Sequence, residues 1–278
     1  MKNNLKMLSL ALCVLPIYLH AGTGQDLKPV YQPTRSAEPI PAGTILPVSL
    51  NSALRSDKSG SGTTIIATVM QDVPLDGGET LRRGSTLTGH VVEAISPVKG
   101  SDESKISFQL DQIRLGNLTV PITTTLRAVA SRAAVSAATP ELTSSENADN
   151  TIEIGGDQIS YGEGEPVMVG SQVVGKYTSQ GVLANADPDS GAPSGGTIDG
   201  DAHAQAFWLF SVNADGTYGF ADLKILRSGS IEPRGEVTLT SNRKAVNLAK
   251  GSAMLLQVEG SGPEEAQART TPSRETAQ

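Results

Sequence analysis

This sequence predicts an all-β fold: an antiparallel β-barrel or sandwich whose two halves are separated by an irregular β insertion with disordered loops and tail. Three observations predict it. Apolar residues recur at every second position in Leu46, Val48, Leu50, in Ile65, Ala67, Val69, in Ile106, Phe108, Leu110, and in Leu118, Val120, Ile122, Thr124, Leu126. That spacing gives each strand one buried face. Glycine is abundant, 29 of 278 residues, and falls between those runs, where turns need backbone angles that other residues avoid. The apolar share, 38% before glycine is added, and the charged share of 18% are those of a chain that folds around a core.

Residues 1–21 read as an export signal. Lys2 and Lys6 make a positive start, an apolar stretch runs from Met7 to Leu19, and Ala21-Gly22 supplies a small-residue exit. The stretch is broken by Pro16 and falls short of the roughly 20 apolar residues that span a bilayer. No later run is long enough either, so no transmembrane helix is expected once the signal is removed. Cys13, the single cysteine, lies within this segment. The remaining chain is therefore expected to carry neither thiol nor disulfide. Residues 22–37, with Pro29 and Pro33 among polar neighbours, read as an extended linker.

The barrel core is assigned to residues 38–130 together with 233–260. Gly116-Asn117 stands as a tight turn between the third and fourth stripes. The apolar parity flips between Asp111 and Ile113, which predicts a β-bulge. Residues 128–138 are rich in alanine and predict a short helix. The insertion, residues 131–232, contains two polar stretches, 139–150 and 184–201, expected to be loose. Short β-like runs are expected at 151–154, 167–169 and 173–177. Residues 206–226 predict an aromatic hairpin carrying Phe207, Trp208, Phe210, Tyr218 and Phe220, with its turn at Asn213-Ala214-Asp215-Gly216. The polar tail from 261 to 278 is expected to be disordered.

One short pattern appears three times: Ile40-Pro41-Ala42-Gly43-Thr44, Leu81-Arg82-Arg83-Gly84-Ser85 and Leu248-Ala249-Lys250-Gly251-Ser252. Each is an apolar residue, two variable ones, glycine and a hydroxyl residue, followed by a strand. Gly43, Gly84 and Gly251 are read as structural turn positions. The order of these features, with Ala67-x-Val69, Asp72-Val73, Leu87-x-Gly89 and Val246-x-Leu248 between them, resembles the C-terminal β-barrel of the TrbI-type subunit of conjugation and type IV secretion systems. The resemblance covers about residues 40–127 and 236–258. It implies a barrel fold and a place in an envelope complex. It does not extend to that family's pore, because residues 128–235 hold no pair of apolar helices and no inner-membrane anchor precedes the barrel.

Composition narrows the function classes. There are 22 basic residues against 29 acidic, a net charge of −7, and only 4% aromatics. A nucleic-acid surface wants a basic face and stacking rings, so no nucleic-acid partner is expected. One cysteine and three histidines leave no cysteine-based zinc site and little for a histidine centre. No cofactor is expected.

Individual motifs were weighed in the same way. Ser96-x-x-Lys99 and Ser241-x-x-Lys244 match the nucleophile element of penicillin-recognising enzymes, without its partner motifs. Asp189-Ser190-Gly191 matches the aspartic-protease triplet but sits among prolines and small residues. Asp187, Asp189, Asp199 and Asp201 make a weak calcium candidate that lacks EF-hand spacing. His90 and His203 have no catalytic neighbour in sequence.

These readings favour an exported protein of the cell envelope, periplasmic, outer-membrane associated or extracellular, with a structural or interaction role and no enzymatic one. An envelope protein is its expected partner, docked through the aromatic hairpin or an open sheet edge. Two alternatives stay open: a hydrolase using paired carboxylates such as Asp72, Glu93 or Asp111, and a small-ligand or glycan-binding module built on the aromatic residues.

Overall fold

The computed structural model describes residues 40–75, 80–97, 103–139, 149–155, 158–161, 166–169, 172–178, 181–185, 204–211, 213–242 and 244–261. The predicted signal, the linker, the greater part of both predicted loops and the tail beyond 261 lie outside them. The first half contains β1 (Ile45–Leu50), β2 (Leu54–Arg55), β3 (Thr64–Val69), β4 (Val73–Pro74), β5 (Thr80–Leu81), β6 (Thr86–Ile95), β7 (Ser104–Leu115), β8 (Leu118–Ala130) and α1 (Arg132–Ala138). Then come β9 (Asp149–Ile152), β10 (Gln158–Tyr161), β11 (Pro166–Val169), β12 (Gln172–Thr178), β13 (Gly181–Asn185) and β14 (Ala204–Trp208). The chain finishes with β15 (Gly216–Tyr218), β16 (Leu223–Arg227), β17 (Val237–Ser241), β18 (Asn247–Leu248) and β19 (Ala253–Ser261).

The molecule is mainly β, and six strands close a barrel. Around the ring run β8, β19, β1, β3, β6 and β7, each antiparallel to the next, and β7 pairs back to β8. The alternating residues read from the sequence line its interior: Leu46, Val48, Ala67, Val69, Leu87, Val91, Ile106, Phe108, Ile113, Met254 and Leu256 are all fully buried in one cluster. Burying an aliphatic side chain of this size contributes about 1.5–3 kcal/mol. Much of the outer wall is polar, with Thr64, Thr68, Thr88, His90, Gln109, Gln112, Arg114, Thr119 and Thr123 partly or fully exposed, beside the exposed Ile66 and Ile95.

The three glycine corners are built alike. In each, the hydroxyl residue's N–H donates three positions back, Thr44 to Pro41, Ser85 to Arg82 and Ser252 to Ala249. The glycine between has φ of +86° at Gly43, +87° at Gly84 and +83° at Gly251, the third-position geometry of a type II turn. Its own N–H donates to a neighbouring strand end: Gly43 to Val258, Gly84 to Val69 and Gly251 to Leu50. The recurring motif is thus the corner that starts β1, β6 and β19 and ties each to the sheet.

The predicted bulge sits at Asp111. Thr88 faces Gln112 while Gly89 faces Leu110, so Asp111 has no residue opposite. The extra residue returns Ile113 to the inner face. The β7–β8 turn at Gly116-Asn117 has Gly116 at φ +59° and Leu115 opposite Leu118.

Beyond this hairpin β7 and β8 diverge. Residues 112–115 of β7 pair with β8, whereas residues 104–108 pair with β17. At the fork Thr124 Oγ1 donates to the Leu110 carbonyl at 3.0 Å, and Leu126 N donates to the Ser228 carbonyl at 2.8 Å. The unit made of β16, β17 and their connection fills the opening.

Several expectations change. Leu118 is 42% exposed, because it flanks the hairpin turn beyond the packed part of the ring. Residues 128–130 continue β8, and the helix starts only at Arg132, where Ser131 Oγ accepts from Ala134 N at 3.1 Å. Asp149 and Asn150 belong to β9, and Ala184 and Asn185 to β13, within stretches expected to be loose.

The predicted hairpin does not form. β14 pairs with β13, and β15 runs parallel to residues 128–130 of β8. The outer faces of β8, β19 and β1 present Ala128, Ala130, Ala253, Leu255 and Ile45, which are covered by Ile154, Phe207, Phe210, Ala214 and Ala138 in a second apolar layer. Burying Phe207 and Phe210 there outweighs pairing the two aromatic segments with each other.

Candidate interaction surface

Two members of the aromatic group, Phe207 and Phe210, are completely buried in the outer layer. Trp208 and Tyr218 pack against the same layer, while Phe220 packs against the barrel core instead. The five rings therefore make no common face. Over Phe207 lies the Arg127 guanidinium, 5.6 Å from the ring centroid, within cation–π range. Burial pushes the Arg127 pKa down from its ordinary value, and Asp215 and Tyr218 act in the opposite direction. Arg127 serves the outer layer as packing.

Trp208 has φ of +54°, a conformation that bulky residues rarely adopt. It is held there by its neighbours. Gln71 is buried and its Oε1 accepts from Trp208 N at 2.7 Å. Just beyond, Phe210 bridges to Ile154, whose N–H donates to the Leu209 carbonyl and whose carbonyl accepts from Ser211 N.

The carboxylates of the hydrolase reading are separately engaged. Asp72 accepts from Arg83 N at 2.6 Å and meets Arg82 at 3.4 Å. Glu93 pairs with Lys105. His90 Nδ1 lies 3.3 Å from Asp111 Oδ2, a pair that sequence reasoning missed because only the bulge makes His90 and Asp111 neighbours. Glu93 faces Ser107, about 13 Å along the strand from Asp111 at roughly 3.3 Å per residue.

Neither Ser-x-x-Lys motif has a nucleophile's setting. Ser96 Oγ donates to the Ser56 carbonyl at 3.0 Å. Ser241 is a strand residue opposite Ser104, whose Oγ donates to the Lys244 carbonyl at 2.6 Å. Lys99, Asp187, Asp189, Asp199, Asp201 and His203 lie outside the described residues. Among the described residues no cluster of three or more metal-ligating side chains occurs.

Among the described residues the most exposed large apolar side chains lie on the unit that fills the fork. Leu226 is 68% exposed and Ile231 63%, the two highest values among the large exposed hydrophobic residues. Leu226 is aimed outward by a register break: Ile225 faces Leu239 and Arg227 faces Thr238, with Leu226 between them opposite nothing. Ile231 lies in a loop closed at its base by Gly235 N donating to the Gly229 carbonyl at 2.8 Å. A Cβ on Gly229 would lie 3.1 Å from the Thr124 carbonyl, so this loop sits directly on the barrel wall. Both residues thus stand exposed on the β16–β17 unit, Leu226 on its strand and Ile231 in its connecting loop. Sequence reading passed over them because each is a single aliphatic residue among charged and small neighbours.

Comparison with known proteins adds no relative: no family model, no curated protein and no solved structure matches the chain.

Proposed function

We propose that this chain is an exported cell-envelope module with a structural, protein-binding role, of the kind implied by its resemblance to the barrel of conjugation and secretion subunits. The observation that carries the reading is the exposure of Leu226 and Ile231. Two large aliphatic side chains are held in water by a strand bulge and a closed loop. Covering each in an interface would contribute about 1.5–3 kcal/mol. The largely polar outer wall and filled interior support a role outside the lipid and without conduction. The apolar segment of residues 7–19 supports export.

Crosslinking in intact cells tests the role. The wild type is expected to give a discrete adduct that the double variant Leu226→Asp/Ile231→Asp loses while keeping its melting temperature, since exposed substitutions usually change stability by under about 0.5 kcal/mol. An adduct that survives the double variant would remove both residues from the interface. Cell fractionation tests the location, and protein found only in the cytosol would defeat it.

A further inference from the structure

At the end of the barrel where β6 begins and the β7–β8 hairpin turns, a cleft of about 710 Å³ opens between Leu75, Thr80, Leu81, Arg82, Gly84, Ser85, Thr86 and residues 114–116. We propose that this cleft binds an acidic peptide segment of a partner, taking an aliphatic side chain on its floor and a carboxylate between Arg82 and Arg114.

The floor is apolar. Leu81 is buried, and Leu75 and Leu115 are partly buried against the barrel core. Among the described residues that line it, the charged ones are Arg82 and Arg114, both basic, in a chain whose net charge is −7. Arg82 is 76% exposed and meets Asp72 only at 3.4 Å, a long contact on the surface that holds it weakly. Asp72's other oxygen is engaged by Arg83 N at 2.6 Å. Arg114 sits on the outer face of β7 with its side chain exposed. Two guanidinium groups bordering an apolar floor match a carboxylate in both charge and fork geometry.

Ser85 and Thr86 add hydroxyls on one wall and the Gly116 backbone lies open on the other, suited to the polar main chain of an extended segment. The volume lies within the range of ligand sites, about 300–1,000 Å³. Arg82 and Arg114 stand 32 positions apart in sequence, and no motif joins them. The corner that starts β6 and the hairpin that ends β7 bring them together. This site is separate from Leu226 and Ile231, so either can fail without the other.

The test uses the full chain and a fluorescent end-blocked hexapeptide, Gly-Leu-Glu-Leu-Glu-Gly, with Gln-for-Glu and Lys-for-Glu versions as controls. Anisotropy should show the Glu peptide bound at least tenfold more tightly than either control, with affinity falling as salt rises. Arg82→Gln/Arg114→Gln should weaken it at least tenfold, whereas Arg83→Gln, outside the cleft lining, should change it less than twofold. Ser85→Trp, which fills the cleft without altering charge, should abolish binding while thermal melting confirms the fold. Equal binding of the three peptides, no binding by the wild type, or undiminished binding by the Arg82/Arg114 variant or by a folded Ser85→Trp variant would each overturn the proposal.

Discussion

Replacing Gly89 with alanine puts a methyl group where the barrel has no room. Gly89 lies beside the Asp111 bulge, and a Cβ built there would be 1.8 Å from the Gln109 carbonyl oxygen and 2.7 Å from Leu110 Cα. Carbon and carbonyl oxygen ordinarily approach to about 3.3–3.6 Å, so β6 and β7 would have to part by roughly 1.5 Å. Both obstacles are backbone, and no side-chain rotation relieves them. The movement disturbs the pairings of Gly89 with Leu110 and of His90 with Gln109, each ladder bond being worth about 0.5–1.5 kcal/mol net. Overpacking adds about 1–3 kcal/mol. The expected loss is about 2–6 kcal/mol, a large part of the about 5–15 kcal/mol that typically holds a domain. Urea denaturation followed by Trp208 fluorescence would measure it. Gly60→Ala is the control: nothing lies within 4 Å of its Cβ and its φ is not positive, so it should be neutral or stabilising by up to about 1 kcal/mol. If Gly89→Ala lost less than about 1 kcal/mol, the close approach of β6 and β7 would be wrong.

Two further outcomes follow from the same geometry. Gln71→Leu leaves the Trp208 N–H without its acceptor and should cost about 1–3 kcal/mol, read as a lower midpoint in thermal melting with a changed tryptophan emission. Gly251→Ala forces a side chain into the left-handed region at φ +83° and should cost about 1–2 kcal/mol, a loss that calorimetry would register; no shift in melting temperature would contradict the type II corner.

The periodicity of single strands was legible wherever one face meets the interior. Leu110 followed by Ile113 announced the bulge, and Gly116-Asn117 announced the hairpin, because both are local choices made within a few residues. Ile45 was not legible. Its parity places it on the outer face of β1, and only a distant segment bearing Phe207 and Phe210 makes that face dry. The turn at residues 213–216 shows the same division. Its chemistry is local, and Gly216 does have φ of +89°, but the partner of the strand that follows is β8, some 90 positions earlier. Ala128 and Ala130 suggested helix by composition, and their small side chains instead let the outer layer lie close on β8. Neither the exposed Leu226 and Ile231 nor the arginine cleft carries a motif. Leu226 depends on a register break in a pairing that sequence does not reveal, and Arg114 and Arg82 line one cleft only because the ring closes.

The pairing of β1 with β19 joins Ile45 to Gln257 and Ser49 to Ala253, nearly the first and last of the described residues. A growing polypeptide therefore has to carry β1 with one side open until β19 has been made. Contacts so remote in sequence form slowly, and an incomplete chain ending before residue 253 would expose the Leu46 and Val48 edge to proteases and to other chains. Synthesis of β19 is thus the event that closes the ring.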